Sequence, residues 1–432
     1  MLRKTIILLF IALIAFTTVL FAQDDVFMQN ETQVNLFNQA VMAYNNGNYN
    51  SAINFINELL ALNPNVSQAY NLRGNARFSQ EQYDLAIEDF TNAIKINKNL
   101  SEAYKSRAES YRYQKKFDLA LIDLNKSMEL EPENSTSYFN RGILHREIND
   151  LKQAFADFSK SIAINPKNVN ALVARADILD KLEDYSQAKL DLDEAIKLNK
   201  NSVEAFKLRG SVNFKLKQYS EAISDFSFCI KLDSKDPNSI YFRGLCYLED
   251  AKYLDALTDF TEAIKKGLKD NNVYYNRAVA YYFLNDLDKS LNDLNSFLKL
   301  KEEMFVYELR GNIFYQQKNY EAAVMDYSKL IAANDKNKLQ ILKNRGNCYH
   351  NLGKYDEAIN DFNVFISIEP NDAAVYYNRA TSYRALNKYD EAINDCKTFI
   401  KLAKQNPELA KHIPNIEKEI IYLEYKKNEP TE

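Results

Sequence analysis

The sequence predicts an all-α fold, a solenoid of antiparallel helix pairs, and three observations lead there. Arg-Gly or Arg-Ala recurs with a 34-residue period along most of the 432-residue chain, and self-similarity at such a period marks a stacked-repeat architecture. Glycine and proline number only 9 and 8, which leaves little material for tight turns or sheet corners. Two places in every period hold only small residues, as two helix axes need if they are to approach closely. Composition agrees: 46% hydrophobic and 26% charged residues describe a folded chain rather than a disordered one.

From the N-terminus, Arg3 and Lys4 precede an uncharged, mostly apolar run from Thr5 to Ala22, and Gln23, Asp24 and Asp25 follow. A basic start, an apolar stretch and a small residue at a polar boundary read as a signal peptide over 1–22, with 23–32 as a linker. Leu20 stands where cleavage prefers a small residue. The competing reading is an uncleaved signal anchor, because 18 residues approach the length of a membrane span. Either way the body is expected to be exported, to the periplasm or the secreted space. No cysteine lies near Ala22 to carry a lipid.

The repeats occupy 33–406. Arg73, Arg107, Arg141, Arg175, Arg209, Arg243 and Arg277 are spaced by 34, and the next intervals are 33 to Arg310, 35 to Arg345 and 34 to Arg379. A weaker first period, with Gln39 in the arginine slot, brings the count to eleven units. With the arginine at position 7, position 8 is Gly or Ala throughout, and position 20 is Ala except at Ser290. Position 24 is large and apolar, from Ile56 and Phe90 to Phe362, until Cys396 in the last unit. Positions 4, 8 and 11 share one helical face, as do 20, 24 and 27. A polar break such as Asn45-Asn46-Gly47-Asn48 separates them, so each unit reads as two amphipathic helices and a short turn. Pro64, Pro132, Pro166 and Pro370 close four of the units. Beyond Asn406, Pro407 to Lys427 is expected to form a polar-faced capping helix. A disordered tail, 428–432, ends the chain.

This period, its paired small residues and its closing proline resemble the tetratricopeptide repeat, over nearly all of the chain after residue 32. The resemblance implies a right-handed superhelical solenoid that binds protein segments in a concave groove. The arginine at position 7, often leucine in that family, is a departure.

That arginine has a fixed companion. Position 23 is Asp in every unit where position 7 is Arg, giving ten pairs 16 residues apart, from Arg73/Asp89 to Arg379/Asp395. A motif repeated ten times describes the unit rather than one catalytic site. It reads as a guanidinium–carboxylate pair fixing hairpin register.

No catalytic or cofactor site emerges. His145, His350 and His412 are the only histidines, sit in different units, and have no second ligand at helical spacing, so no metal is expected. No phosphate-cradling glycine loop or nucleophile elbow is present. A net charge of −4 from 55 basic and 59 acidic residues gives no basic surface for nucleic acid. No cofactor or small-molecule substrate is expected, and membrane contact arises only through an uncleaved anchor. Cys229, Cys246, Cys348 and Cys396 read as small core residues, with Cys229 and Cys246 the one candidate disulfide pair.

In the family, positions 2, 5, 9, 12 and 13 face the ligand. Units 7 to 9 place apolar residues there: Tyr241, Leu245, Leu248, Tyr275, Val279, Tyr282, Phe283, Phe305 and Tyr315. Earlier units are polar, with Lys105, Glu109 and Arg112, then Asp177 and Asp180. Two readings stand side by side: a peptide-gripping patch with aromatic anchors, or tyrosine-rich helices packed on one another. Lys343, Asn347 and Asn378 occupy three positions of the two-carboxylate clamp of chaperone-binding family members. The matching places further on hold Glu408 and His412, which are not basic. The expected function is a non-enzymatic protein-interaction scaffold of the cell envelope or secreted space. The alternative is a periplasmic holdase-type chaperone of broad specificity.

Overall fold

The structure, a computed structural model, describes residues 31–333 and 338–429. The expected signal peptide, residues 23–30 of the linker and the last three residues of the tail lie outside the described residues. The chain divides into two compact bodies, one up to Cys229 and one from Ile230.

Among the described residues there are 24 helices and no strands. In the first body the pairs are Glu31–Asn45 with Tyr49–Leu62, Ser67–Ser79 with Tyr83–Ile96, Ser101–Tyr113 with Phe117–Leu130, Ser135–Glu147 with Leu151–Ile164, Val169–Lys181 with Tyr185–Leu198, and Val203–Lys215 with Tyr219–Leu232, the last helix running past Cys229. In the second they are Pro237–Glu249 with Tyr253–Lys265, Asn272–Phe283 with Leu287–Leu300, Met304–Gln316 with Tyr320–Ala332, Lys338–Asn351 with Tyr355–Ile368, and Ala373–Ala385 with Tyr389–Ala403. These are repeats 1 to 11. The first helix starts at Glu31, two residues inside the expected linker, with a carboxylate at its positive end. In repeats 1, 3, 4 and 10 the second helix stops two residues before the closing proline, at Leu62, Leu130, Ile164 and Ile368. The residue before a proline avoids the helical region, which accounts for the stop.

The turn inside every repeat holds position 15 in the left-handed region. Only Gly47 and Gly353 are glycines there; Glu81, Lys115, Asn149, Glu183, Lys217, Ala251, Asn285, Lys318 and Asn387 adopt φ of 55–63°. Each such residue bears a local strain of about 1–2 kcal/mol that hairpin packing holds in place.

The close approach at positions 8 and 20 follows a second rule. Where position 8 is glycine, position 24 is aromatic: Gly74 with Phe90, Gly142 with Phe158, Gly210 with Phe226, Gly244 with Phe260, Gly311 with Tyr327 and Gly346 with Phe362. Where it is alanine, position 24 is Ile56, Leu124, Leu192, Leu294 or Cys396. The geometry supplies the cause. A Cβ on any of those six glycines would stand 2.6–2.9 Å from the nearest ring carbon.

The arginine–aspartate pairs form as expected. In all ten, Nε donates to one carboxylate oxygen at 2.7–3.0 Å and Nη2 to the other at 2.6–2.8 Å. The aspartates are 0–5% exposed. The third arm was not foreseen. Nη1 reaches the second helix of the preceding repeat and donates to Asn57, Thr91, Asn125, Ser159 and Asp193 in the first body. In the second body it donates to Thr261, Asn295, Ser328 and Asn363. Each of these nine guanidiniums therefore fixes its own hairpin and staples it to the one before.

The two ends of the chain differ. In repeat 1 the outward face of the first helix carries Asn35, Asn38 and Asn45, with Met42 62% exposed. The residues in the Met42 position of repeats 2 to 6 (Ala76, Ser110, Leu144, Ile178 and Val212) are all 0% exposed. At the other end the expected single capping helix is two pieces, Pro407–Ala410 and Ile413–Lys427. Pro414 restarts the helix in its first turn, where a missing N–H does no harm. Ile416 and Leu423 bury against Cys396, Phe399 and Ala403. The outer face of this cap is not polar as expected: Ile421, Tyr422 and Tyr425 are 67%, 48% and 63% exposed.

Candidate functional site

The first helices of repeats 3 to 6 cover most of their faces with charge, leaving Tyr113 of repeat 3 50% exposed and stacked on Tyr83. Arg112 pairs with Glu147 of the next repeat, Arg146 with Asp177 at 3.4 Å, and Asp180 with Lys215 at 2.7 Å. Lys105 turns to Glu102 within its own helix. Between repeats 3 and 4 a cleft of about 310 Å³ opens over Phe139, Ile143 and Leu144, with Glu109, Arg112, Arg146 and Glu147 at its rim. Sequence reasoning missed this cleft. Its signal was Phe139 and Ile143, at positions 5 and 9 of an otherwise charged face.

Repeats 7 to 9 are different. Tyr241 is 5% exposed and packs with Phe260, its hydroxyl accepting a bond from Asn276 Nδ2 at 2.8 Å. Burial, with a smaller push from Asp270, takes its phenol up to about 12. Tyr241 is therefore a core residue, not a ligand-facing one. Leu245 and Leu248 are half-buried against the same cluster. Tyr275 and Tyr282 pack on Leu294, Phe297 and Val306, and burial raises the Tyr275 phenol. Val279 is half-buried. Position 5 is pressed between consecutive first helices, which is why its tyrosines leave the surface.

The outermost residues stay open. Phe283 is 57% exposed, Phe305 42% and Tyr315 37%. Phe283 stacks on Tyr253 with ring centroids 4.8 Å apart, and Phe305 meets Tyr275 edge-on at 4.7 Å. Tyr315 packs edge-on against Tyr320 at 5.7 Å, and burial raises its phenol. These rings are held from behind and offered in front.

The clamp-like residues are engaged within the chain. Lys343 Nζ donates to Asp372 at 2.7 Å, and the Asp372 carboxylate also caps the first helix of repeat 11. Asn378 Nδ2 donates to Asn347 Oδ1 at 2.9 Å.

His350 Nδ1 and Ser382 Oγ lie 2.9 Å apart, but Ser382 is 0% exposed and also reaches the Asn378 carbonyl at 3.2 Å. Burial holds the His350 imidazole below its ordinary range. All four cysteines are free and buried, so Cys229 and Cys246 are not bridged. Burial pushes the Cys246, Cys348 and Cys396 thiols up to about 12, away from thiolate chemistry. Among the described residues no group of His, Cys, Asp and Glu side chains has metal-ligand geometry. No described helix is long and apolar enough to cross a membrane.

Family models of the tetratricopeptide repeat match residues 67–100, 135–168, 173–228, 272–304, 306–337, 340–372 and 362–394, more than half of the chain. The chain belongs to the tetratricopeptide-repeat family and is a protein-interaction scaffold of helical repeats. It is similar in structure to YrrB, a tetratricopeptide-repeat protein with an unusual peptide-binding site, at 21% identity over 42% of this chain and 94% of that one, TM-score 0.39. It is likewise similar to a tetratricopeptide-repeat protein of Parabacteroides merdae, at 18% identity over 58% and 99% of the two chains, TM-score 0.43. A third likeness is to the Cut9–Hcn1 assembly of the APC/C, at 13% identity over 89% and 96%, TM-score 0.42. No curated protein matches the chain.

Proposed function

We propose that the chain is a scaffold of the cell envelope or secreted space that grips an apolar segment of a partner protein on repeats 8 and 9. One observation carries the reading: Phe283, Phe305 and Tyr315 stay 57%, 42% and 37% exposed on two consecutive first helices. The equivalent faces of repeats 3 to 6 carry ion pairs between repeats, with Tyr113 of repeat 3 the ring left open at 50%. Large rings fixed from behind lose little freedom on binding, and such anchors carry most of the energy of an interface. The apolar run Thr5 to Ala22 supports export.

The test is an affinity capture from the envelope extract of the source organism, comparing the wild type with Phe283→Ser/Phe305→Ser. These side chains are open, so the variant keeps the core that Tyr275 and Tyr282 help to build. One or two proteins held by the wild type and lost by the variant would support the scaffold. A broad mixture, with suppressed aggregation of unrelated clients, would make the protein a holdase. Equal retention by both baits would remove the aromatic patch as the binding surface.

A further inference from the structure

We propose that the cleft between repeats 3 and 4 takes one large apolar side chain of an extended partner segment, with a basic and an acidic residue of that segment on either side. The cleft encloses about 310 Å³, at the low end of the volumes that hold a ligand, about 300–1,000 Å³. It has room for one ring and not for a helix. Its floor is apolar. Leu144 is 0%, Ala108 1% and Leu124 3% exposed, and half-buried Phe139 and Ile143 complete the lining. Leu124 stands where repeats 2 and 4 carry Phe90 and Phe158, so the hairpin beneath the cleft holds the smaller side chain.

Charge at the rim selects the occupant. Two of the four rim charges satisfy one another, because Arg112 pairs with Glu147 and also lies over Tyr113 at 4.7 Å. The other two are loosely held. Glu109 stands 3.7 Å from Arg112, beyond hydrogen-bond length. Arg146 reaches Asp177 Oδ2 only at 3.4 Å, and Lys181 takes the same oxygen at 3.0 Å. Glu109 belongs to the first helix of repeat 3 and Arg146 to that of repeat 4, so they stand on different walls of the cleft. A segment crossing it meets a carboxylate on one side of its apolar residue and a guanidinium on the other. A free amino acid carries both of its charges at one end and does not match that spread. The buried side chain supplies most of the affinity and the rim charges the selectivity. This site is independent of the aromatic face of repeats 8 and 9.

Isothermal titration calorimetry of the full chain tests the cleft, in a Phe283→Ser/Phe305→Ser background that removes the aromatic face of repeats 8 and 9. Far-UV circular dichroism confirms that each variant folds. The probe is the peptide acetyl-Gly-Lys-Phe-Asp-Gly-amide, which is expected to bind saturably. Serine in place of its phenylalanine is expected to weaken binding by at least about tenfold. Asparagine in place of its aspartate is expected to weaken it about two- to fivefold. Arg146→Gln is expected to weaken the aspartate peptide by the same factor and to leave the asparagine peptide unchanged. Ala108→Gly/Leu124→Phe rebuilds the Gly–Phe pair of the neighbouring repeats, fills the floor and is expected to abolish binding. Absence of saturable binding would overturn the proposal. So would equal binding of the serine peptide or of free L-phenylalanine, undiminished binding by the filled variant, or an Arg146→Gln loss of the same size for both peptides.

Discussion

The glycine–aromatic rule of the hairpin core gives a sharp test in Gly142→Ala. In an open helix this change stabilises by about 1 kcal/mol, because alanine is the better helix former. At Gly142 the new Cβ would lie 2.6 Å from Phe158 Cε1 and 2.7 Å from Cδ1. Carbon contacts are optimal near 3.5–4.0 Å, so the overlap approaches an ångström, and Phe158 is 0% exposed with no room to withdraw. Overpacking a tight core costs about 1–3 kcal/mol. Subtracting the helix gain leaves a net loss of up to about 2 kcal/mol, opposite in sign to the open-helix case.

The partner substitution makes the test specific. Phe158→Leu alone opens a void, whereas Gly142→Ala/Phe158→Leu recreates the Ala–Leu pair of repeats 3, 5 and 8. The double variant is expected to be more stable than the sum of the single changes by at least about 1 kcal/mol, within the range of contacting pairs. Global melting is a poor readout, since each repeat touches only its neighbours and the array need not unfold as one. Hydrogen exchange of the amides of Ser135–Glu147 and Leu151–Ile164 reads the local opening directly. Additivity within about 0.5 kcal/mol, or a stabilising Gly142→Ala, would refute the steric account.

Three further outcomes follow from the same geometry. Asp225→Ala leaves Arg209 and Asn213 without their buried acceptor and is expected to destabilise repeat 6 by about 3–5 kcal/mol, whereas Arg209→Met/Asp225→Leu is expected to lose far less; equal losses in hydrogen exchange would show that the pair itself holds the fold. Ala251→Gly relieves a left-handed turn at φ 55° and is expected to stabilise repeat 7 by about 1 kcal/mol, read as slower exchange in that hairpin; a neutral or negative effect would place the strain elsewhere. His350 is held below its ordinary value by burial, with Arg384 adding to the effect. The folded state therefore binds fewer protons than the unfolded one, so stability is complete above about pH 6.5 and falls as pH drops through the folded value. Its NMR titration midpoint is expected to lie below the ordinary imidazole value of about 6.5, and a higher midpoint would reverse the sign.

The hairpin array was legible because its determinants repeat. Small residues at positions 8 and 20, the apolar residue at 24 and the Arg–Asp pair recur at fixed intervals, and each acts inside one hairpin. The six Gly–aromatic and five Ala–nonaromatic pairs were also written in the sequence, yet their meaning needed the 2.6–2.9 Å geometry. The left-handed turns were not legible, since nine of eleven carry a residue other than glycine and the packed helices impose the conformation. Tyr241 was misread because the family's ligand-facing positions, carried over by resemblance, do not say what lies opposite, and Asn276 and Phe260 lie there. The Nη1 staple was hidden for a related reason. Its acceptors (Asn, Thr, Ser and Asp side chains) share only shortness and polarity, which a search for a conspicuous motif passes over.

A single hairpin grammar serves all eleven repeats, so differences in function must lie at positions the grammar leaves free. In repeats 3 to 6 those positions are mostly committed to ion pairs that join one repeat to the next, with Tyr113 of repeat 3 the single ring left half-exposed among them. In repeats 8 and 9 they are aromatic, and packing explains only part of each ring. Tyr253 covers one face of Phe283 at an interplanar angle of 7° and leaves the residue 57% exposed. A ring needed only for packing would turn inward, as Tyr241 does in the repeat before. A ring fixed in place yet open to solvent has already given up the rotamer freedom that binding would otherwise remove. It keeps an apolar surface that a partner can cover, and this combination separates the aromatic face of repeats 8 and 9 from the core that supports it.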